Sequence, residues 1–371
     1  MSDSGRTRIA YLTDAERIGG AEKYLELLAL NIDRDEFEPL LVTCGSKGLE
    51  PMRSIMREAG VPVVDVRYSS PFAPIQSINF MRTIGRYAPA ILHMNLPGPF
   101  DANYSQAAPL ARLAGVKAVV TTEHLPMVAS FPRARVLRKA ASRYIDRVIT
   151  VSEDNRRHLV EKHGVDPSII VTVLNGIPDP AADGGETCKD RRGGGGIRLL
   201  TAGSLEERKG HRMLMEAMKK VPAEYILDIA GTGPLEEELR SMAADPGLSG
   251  RVRLLGHRSD MRALMAGSDI FVLPSMLEAT PYVIIEAMAS GRPVIASRIF
   301  GIPELVEDDR TGLLVEPGDP ERLAGAIARL GSDRSRIERM GGEGRKRFES
   351  LFTLERFIER TTSVYRDLPR L

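Results

Sequence analysis

The sequence predicts an α/β protein of two doubly wound, Rossmann-like parallel sheets joined by a linker. Three observations carry this. Short apolar runs of strand length alternate with segments of helical period through the first half of the chain. The stretch 179–196 then breaks the pattern, with Asp183-Gly184-Gly185, four glycines at 193–196 and no apolar period. Beyond it the alternation restarts. The 371 residues are 43% hydrophobic and 27% charged, enough for two packed cores and against bulk disorder. A net charge of +1 gives no bulk argument for nucleic acid, and no such partner is expected. Cys44 and Cys188 have neither metal nor redox spacing, so a reducing compartment is the simple reading. Residues 1–6 carry no apolar signal core, and no apolar run approaches membrane-spanning length. The expected location is cytoplasmic, at most peripheral on a membrane.

In order, the first half reads as strand 8–13, a loop 14–21 holding Gly19-Gly20, and helix 21–31 with its apolar Leu25, Leu27, Leu28 and Leu30. Strand 38–43, helix 49–59, strand 61–66, helix 75–86, strand 90–94, helix 101–114 and strand 116–122 follow. A basic helix 133–144 and strands 147–151 and 169–174 complete it. Ser152 stands where an N-cap belongs. After the linker come strand 197–202, helix 209–220, strand 225–230, helix 234–244, strand 252–255, helix 260–266 and strand 270–273. A last helix, 354–368, has Phe357, Ile358 and Tyr365 at helical spacing. The expected domains are 1–178, the linker 179–196, 197–350, and a carboxyl-terminal segment 351–371.

The chemistry centres on residues 274–289. Pro274 ends the preceding strand because it cannot donate to a ladder. Thr280 and Pro281 read as N-cap and first helical residue of a helix over 281–290, stopped by Gly291. The unpaired N–H groups around Thr280, Pro281, Tyr282 and Val283 would face an anion, most simply a phosphate. Glu278 and Glu286 flank that position, and carboxylates are good acceptors for sugar hydroxyls. Ligands of such sheets sit beyond the carboxyl ends of the strands. That rule marks Gly19-Gly20, His93 and His124 in the first half, and residues 203–210 in the second.

Glu278, seven residues, then Glu286, preceded by Pro274-Ser275 and followed by residues 287–294 (AMASGRPV), resembles the signature of retaining glycosyltransferases of family 4. Those enzymes have the GT-B fold: two Rossmann-like domains facing a central cleft, with a carboxyl-terminal helix crossing back to the first. The resemblance covers nearly the entire chain and is densest over 203–314. It implies a nucleotide-diphosphate sugar as donor, UDP- or GDP-linked, with no metal or other cofactor. Glu278 would meet the donor sugar and Glu286 the ribose. Lys209, within residues 203–210, matches the family lysine that binds the donor phosphates, and Gly203 belongs to the same motif. Ser204 stands where many members have arginine; Arg208 is the neighbouring cation that would replace it. Gly231 and Gly233 resemble the loop bordering the nucleotide. His257 and Arg258 lie in the loop that usually meets the base, although Arg258 has Asp260 two residues on as the simpler partner. Phe300 replaces the first glycine of a Gly-Gly-x-Pro-Glu pattern, narrowing the space near the nucleotide.

In the first domain the resemblance places Gly19-Gly20 near the transferred group's phosphate and His124 beside the donor sugar. His93 is a second cleft candidate, and Asn175 belongs to the Asn-Gly-Ile strand exit. Read alone, a histidine at such a strand end is more often a structural hydrogen-bonding residue, and Gly19-Gly20 is as readily a tight turn before a helix. The basic helix 133–144 (Arg133, Arg135, Arg138, Lys139, Arg143) either lies on anionic lipid or is a solvated face. The implied reaction uses Glu278, Lys209 and His124 around an anomeric carbon whose leaving diphosphate is stabilised electrostatically. A glycoside hydrolase would share two carboxylates but needs no phosphate cradle. A nicotinamide oxidoreductase would share the sheet but needs the GxGxxG that is missing after Thr13. A non-catalytic nucleotide-sugar binding or scaffold protein of the same fold is the third alternative. The sugar, the base, the acceptor and the oligomeric state are not written in the sequence.

Overall fold

The computed structural model describes residues 5–66, 73–96, 107–126, 142–182 and 196–369. The chain forms two compact units, one of residues 1–175 with 355–371 and one of 176–354. In the first unit the strands are β1 (Thr7–Thr13), β2 (Phe37–Thr43), β3 (Val63–Asp65), β4 (Ile91–Leu96), β5 (Ala118–Glu123), β6 (Arg147–Thr150) and β7 (Ile170–Thr172). They pair in the order β3-β2-β1-β4-β5-β6-β7, all parallel. Parallel strands need crossovers, and the described ones are α1 (Gly20–Asn31), α2 (Glu50–Glu58), α3 (Pro74–Tyr87), α4 (Ala107–Leu113) and α5 (Glu153–His163). Strand residues are apolar on both faces because helices cover both. Leu12, Leu92, Val119 and Val148 share one core with Phe80 and Ile84 of α3.

The second unit repeats the plan. Its strands are β8 (Arg198–Ala202), β9 (Ile226–Ala230), β10 (Val252–Gly256), β11 (Ile270–Leu273), β12 (Val294–Ser297) and β13 (Gly312–Val315). They pair in parallel in the order β10-β9-β8-β11-β12-β13. Its helices are α6 (His211–Met218), α7 (Glu236–Ala243), α8 (Met261–Gly267), α9 (Tyr282–Ala289), α10 (Ile302–Leu305), α11 (Pro320–Gly331) and α12 (Arg334–Leu351). Leu199, Leu227 and Ile270 of the sheet pack with Leu214, Leu239, Leu323 and Ile327. In both sheets the strand order reverses beside the first strand, at β1/β4 and at β8/β11. These are the switch points where open α/β sheets bind ligands.

Several expectations shift. β4 runs to Leu96, so His93 lies mid-strand, paired with Tyr11, and not at the strand's end. Lys209 is not on a helix: a 3-10 turn covers Glu207–Lys209, and Gly210 in the left-handed region (φ 70°) separates it from α6. The residue capping α9 is Pro281, extended at ψ 127°, so the helix starts one residue later than expected and Thr280 does not cap it. β12, β13 and the helices α10 to α12 fill residues 292–353, which sequence reading left unassigned. The first unit ends at Asn175, not at 178. Ile177 N–H donates to Phe352 O (3.0 Å), Leu354 N–H donates to Ile177 O (2.9 Å), and Arg345 forks onto Asp179 (2.7 and 2.5 Å). Those bonds hold residues 176–182 on the second unit. Most of the proposed linker, 183–195, lies outside the described residues, as do 101–106 of the expected fourth helix and 133–141 of the basic helix. The last helix, α13 (Leu354–Arg366), joins the first unit from Glu355 on. There Phe357 packs edge-on against Tyr24 (4.8 Å), Tyr365 against Phe37 (5.9 Å), and Arg366 pairs with Glu36 (2.7 Å).

Candidate active site

The second unit's site is built on the loops after β8, β9 and β11. Gly203 N–H donates to Ala230 O (3.0 Å) and Leu205 N–H to Thr232 O (2.9 Å), so the β8 and β9 loops lie against each other. Gly231 (φ 149°) is required at that contact, because a Cβ there would run into the Gly203 carbonyl oxygen. Gly231 N–H in turn donates to Gly256 O (2.8 Å). A Cβ at Gly233 would likewise run into the Leu205 backbone. The two glycines therefore pack loop on loop, whatever they present to a ligand.

Across the switch point, Lys209 Nζ donates to Glu278 Oε1 as an ion pair, with side chains only 12% and 9% exposed. Ser275, fully buried, donates from Oγ to the same carboxylate oxygen (3.2 Å). Met276 N–H donates to Arg208 O (2.7 Å), stitching the β8 loop to the β11 loop. Sequence reading gave Lys209 and Glu278 separate ligands; here each is the other's partner. Immediately after them comes the amino end of α9, which has no side-chain cap. Its first N–H groups have no partner within the helix. Thr280 is buried, and Pro281, Tyr282 and Val283 are partly so. Glu286 lies one turn along α9, partly buried.

His211, which sequence reading missed, opens α6 beneath this loop. It is buried, with Nε2 3.2 Å from Ser204 O. Burial pushes its pKa down to about 4, against the pull of that carbonyl and with help from the Lys209 charge. Its only signal was its place directly after Lys209-Gly210. Arg208 is half-exposed and donates to Glu206 (2.9 Å). His257 and Arg258 are exposed, and Arg258 forks onto Asp260 (2.7 and 2.5 Å), the simpler of its two expected fates.

In the first unit, Gly19 N–H donates to Glu22 Oε2 (2.9 Å), and Thr13 Oγ1 donates to Glu22 Oε1 (3.3 Å). Glu22 is buried, which raises its pKa. The Gly19-Gly20 turn is thus an exposed backbone corner fixed by a buried carboxylate at the start of α1. Asn95 donates from Nδ2 to Ala21 O (3.0 Å), which turns its Oδ1 toward His124 Nε2 (2.8 Å). That network puts the His124 proton on Nε2 and leaves Nδ1 as the acceptor. Burial depresses the His124 pKa to about 3. Tyr24 stacks edge-on against it at 5.0 Å.

His93 is corrected outright. It is fully buried, bonded at Nδ1 to Tyr365 OH (2.5 Å) and at Nε2 to Thr122 Oγ1 (2.7 Å), so both ring nitrogens serve the core. Asn175 is buried at the unit's edge. Ser152 accepts from Asn155 N–H (3.0 Å) and caps α5 as expected. Among the described residues no group of three or more His, Cys, Asp or Glu could hold a metal ion, and no helix is long and apolar enough to cross a membrane.

Two family models match the chain: Glycosyltransferase Family 4 over residues 18–179 and Glycosyl transferases group 1 over residues 196–333. The chain is 35% identical over 157 residues to the lipopolysaccharide core biosynthesis glycosyltransferase LpsE of Rhizobium meliloti, covering 42% of this chain and 46% of that protein. It is 30% identical over 322 residues to the GDP-mannose-dependent alpha-(1-6)-phosphatidylinositol monomannoside mannosyltransferase of Mycobacterium tuberculosis, covering 81% of this chain and 82% of that one. Among solved structures, Anabaena HepE in complex with UDP superposes with a TM-score of 0.82 at 20% identity, over 98% of this chain and 100% of that one. That likeness gives the fold, and the mannosyltransferase alignment the family. Two parallel Rossmann-like sheets, each with its candidate residues at a switch point, match the GT-B architecture, and the chain belongs to glycosyltransferase family 4.

Proposed function

We infer that this glycosyltransferase takes its sugar from a nucleoside diphosphate donor, UDP- or GDP-linked, and retains the anomeric configuration. We infer further that it passes the sugar to a hydroxyl of a growing cell-envelope glycan or glycolipid. The observation that carries the donor reading is the buried Lys209–Glu278 pair beside the uncapped amino end of α9, at the second unit's switch point. A cation and a set of N–H groups converging there suit a diphosphate. The adjacent carboxylate suits the hydroxyls of the attached sugar. Glu286, further along α9, takes the ribose. The UDP in HepE and the GDP-mannose dependence of the mycobacterial relative favour these two bases. The names of the relatives favour an envelope acceptor.

In this reading the bond from the anomeric carbon to the diphosphate oxygen lengthens first. Lys209 and the α9 N–H groups stabilise the charge that collects on the leaving group. The acceptor oxygen bonds to the same face of that carbon, and its proton passes to a diphosphate oxygen. These groups do the work a divalent cation would otherwise do, so turnover should survive EDTA. In the first unit, His124 is a neutral hydrogen-bonding residue at physiological pH, with a pKa near 3.

The test is thermal unfolding with UDP, GDP and ADP, on wild type and Glu286→Ala. A nucleotide at a hundred times its Kd adds about 2.7 kcal/mol. One series should stabilise wild type and fail on the variant. If none stabilises wild type, the donor reading is lost.

A further inference from the structure

Phe300 lies three residues past β12 with φ at 42°, in the left-handed region. Two other described residues besides glycine have positive φ. Ala88 is the left-handed residue that ends α3, and Asp309 is of a type that tolerates the region. Phe300 has neither justification: a bulky side chain there crowds the following carbonyl. Burial does not compensate. Phe300 is 36% exposed, whereas Phe37, Phe80, Phe271, Phe348, Phe352 and Phe357 are all buried. The turn around it is firmly held, by Arg298 N–H to Val315 O (2.7 Å), Ile299 N–H to Ser297 O (2.9 Å) and Ile302 N–H to Ile299 O (3.0 Å). Ile302 itself is fully buried. A strained aromatic, pinned on both sides and left at the surface, fits a residue kept for what it touches.

Sheet order says what that is. Along the carboxyl edge the loops run β10, β9, β8, β11, β12, β13. Lys209 and Glu278 occupy the β8 and β11 loops, so a diphosphate held there leaves one end of the donor toward β9 and β10 and the other toward β12. Glu278, the carboxylate assigned to the sugar, stands on the β11 loop beside β12, whereas the base candidates His257 and Arg258 follow β10, so the sugar lies toward β12, about 5 Å from β11. We propose that Phe300 is a donor-specificity residue whose ring packs against the apolar face of the transferred hexosyl group. This rests on the nucleotide-sugar reading above. Pyranose rings offer one face of C–H groups to an aromatic quadrupole, and which hydroxyls are axial decides how flat that face is.

The experiment compares wild type, Phe300→Gly and Phe300→Tyr by calorimetry with UDP, GDP, UDP-glucose, UDP-galactose and GDP-mannose. Glycine adopts φ 42° without strain, so Phe300→Gly removes the ring while raising or preserving the unfolding midpoint. Affinity for the bare nucleotide stays within about twofold, and affinity for its sugar conjugate drops about three- to tenfold. The spread among sugars narrows, and Phe300→Tyr restores both. Phe300→Gly with wild-type affinity for the sugar conjugate overturns the proposal, as does an equal loss for nucleotide and conjugate. If wild type binds no nucleotide at all, the donor reading fails and takes this proposal with it. Wild-type binding with an indifferent Phe300→Gly sinks this proposal alone.

Discussion

Lys209 and Glu278 are both nearly out of water, so each needs a counter-charge, and in this state they supply one another. In the donor reading proposed above, a diphosphate arriving at Lys209 would compete with Glu278 for the same ammonium group. On that reading the carboxylate stands in for the ligand and would recapture the lysine as the diphosphate departs. Glu278→Gln removes the competitor while keeping the shape and the Ser275 contact. Nucleoside diphosphate affinity should rise, by several-fold, while turnover falls about a hundredfold through loss of the sugar-side carboxylate. Calorimetry with UDP and GDP, set against initial rates, separates the two effects. A nucleotide affinity that drops in step with turnover would show that Glu278 holds the diphosphate site together and does not compete for it. Ser204, in place of an arginine, leaves Lys209 as the buried cation of this loop, since Arg208 is half-exposed on Glu206. That makes the contest for Lys209 more consequential.

The elements divide between those that carry ligand candidates and those that brace them. α13 braces. Tyr365 donates to His93 Nδ1, His93 Nε2–H donates to Thr122 Oγ1, and Thr122 donates to Tyr24 OH (3.2 Å), a buried relay tying the last helix to β4, β5 and α1. Tyr365→Phe keeps the ring packing on Phe37 and strands a buried acceptor, at a cost of about 1–3 kcal/mol. The urea midpoint should fall accordingly, with amide exchange fastest in α13; an unchanged midpoint would mean that the relay is ornamental. None of this relay was legible in sequence, because it joins residues 272 positions apart. Period and strand length did reveal most crossovers, and the 274–289 string located Glu278 and α9. They misplaced His93 because a strand's end is the least certain part of a pattern. β12 and β13, four residues each, are too short and too isolated to announce themselves. Phe300 was visible as a departure from a motif, but its left-handed backbone was not.

Each unit has its own core and its own buried histidines, so acid should act on them unequally. His93 and His124, in the first unit, are held at about 3 by burial, and for His93 also by its neighbour His124. His211, in the second, is held at about 4. Unfolded, each titrates near 6.5, so between that value and the folded one the unfolded state binds the extra proton. Their stabilising contribution is therefore complete above about pH 6.5 and declines as pH falls, by about 1.4 kcal/mol per pH unit for each histidine. Glu22 opposes this in the first unit: its raised pKa gives stability that is lost as pH rises through the folded value. Two histidines against one leave the first unit the more acid-sensitive as pH falls below 6.5, by less than two to one because the raised Glu22 pKa offsets part of their loss. Amide exchange followed by mass spectrometry at pH 7 and pH 5, corrected for intrinsic rates, resolves the units in one intact chain. Protection in β1, β4 and β5 should drop by more than in β8, β9 and β11, and His124→Gln should remove most of that excess. Equal losses in the two sheets would mean that the buried histidines do not set the acid limit.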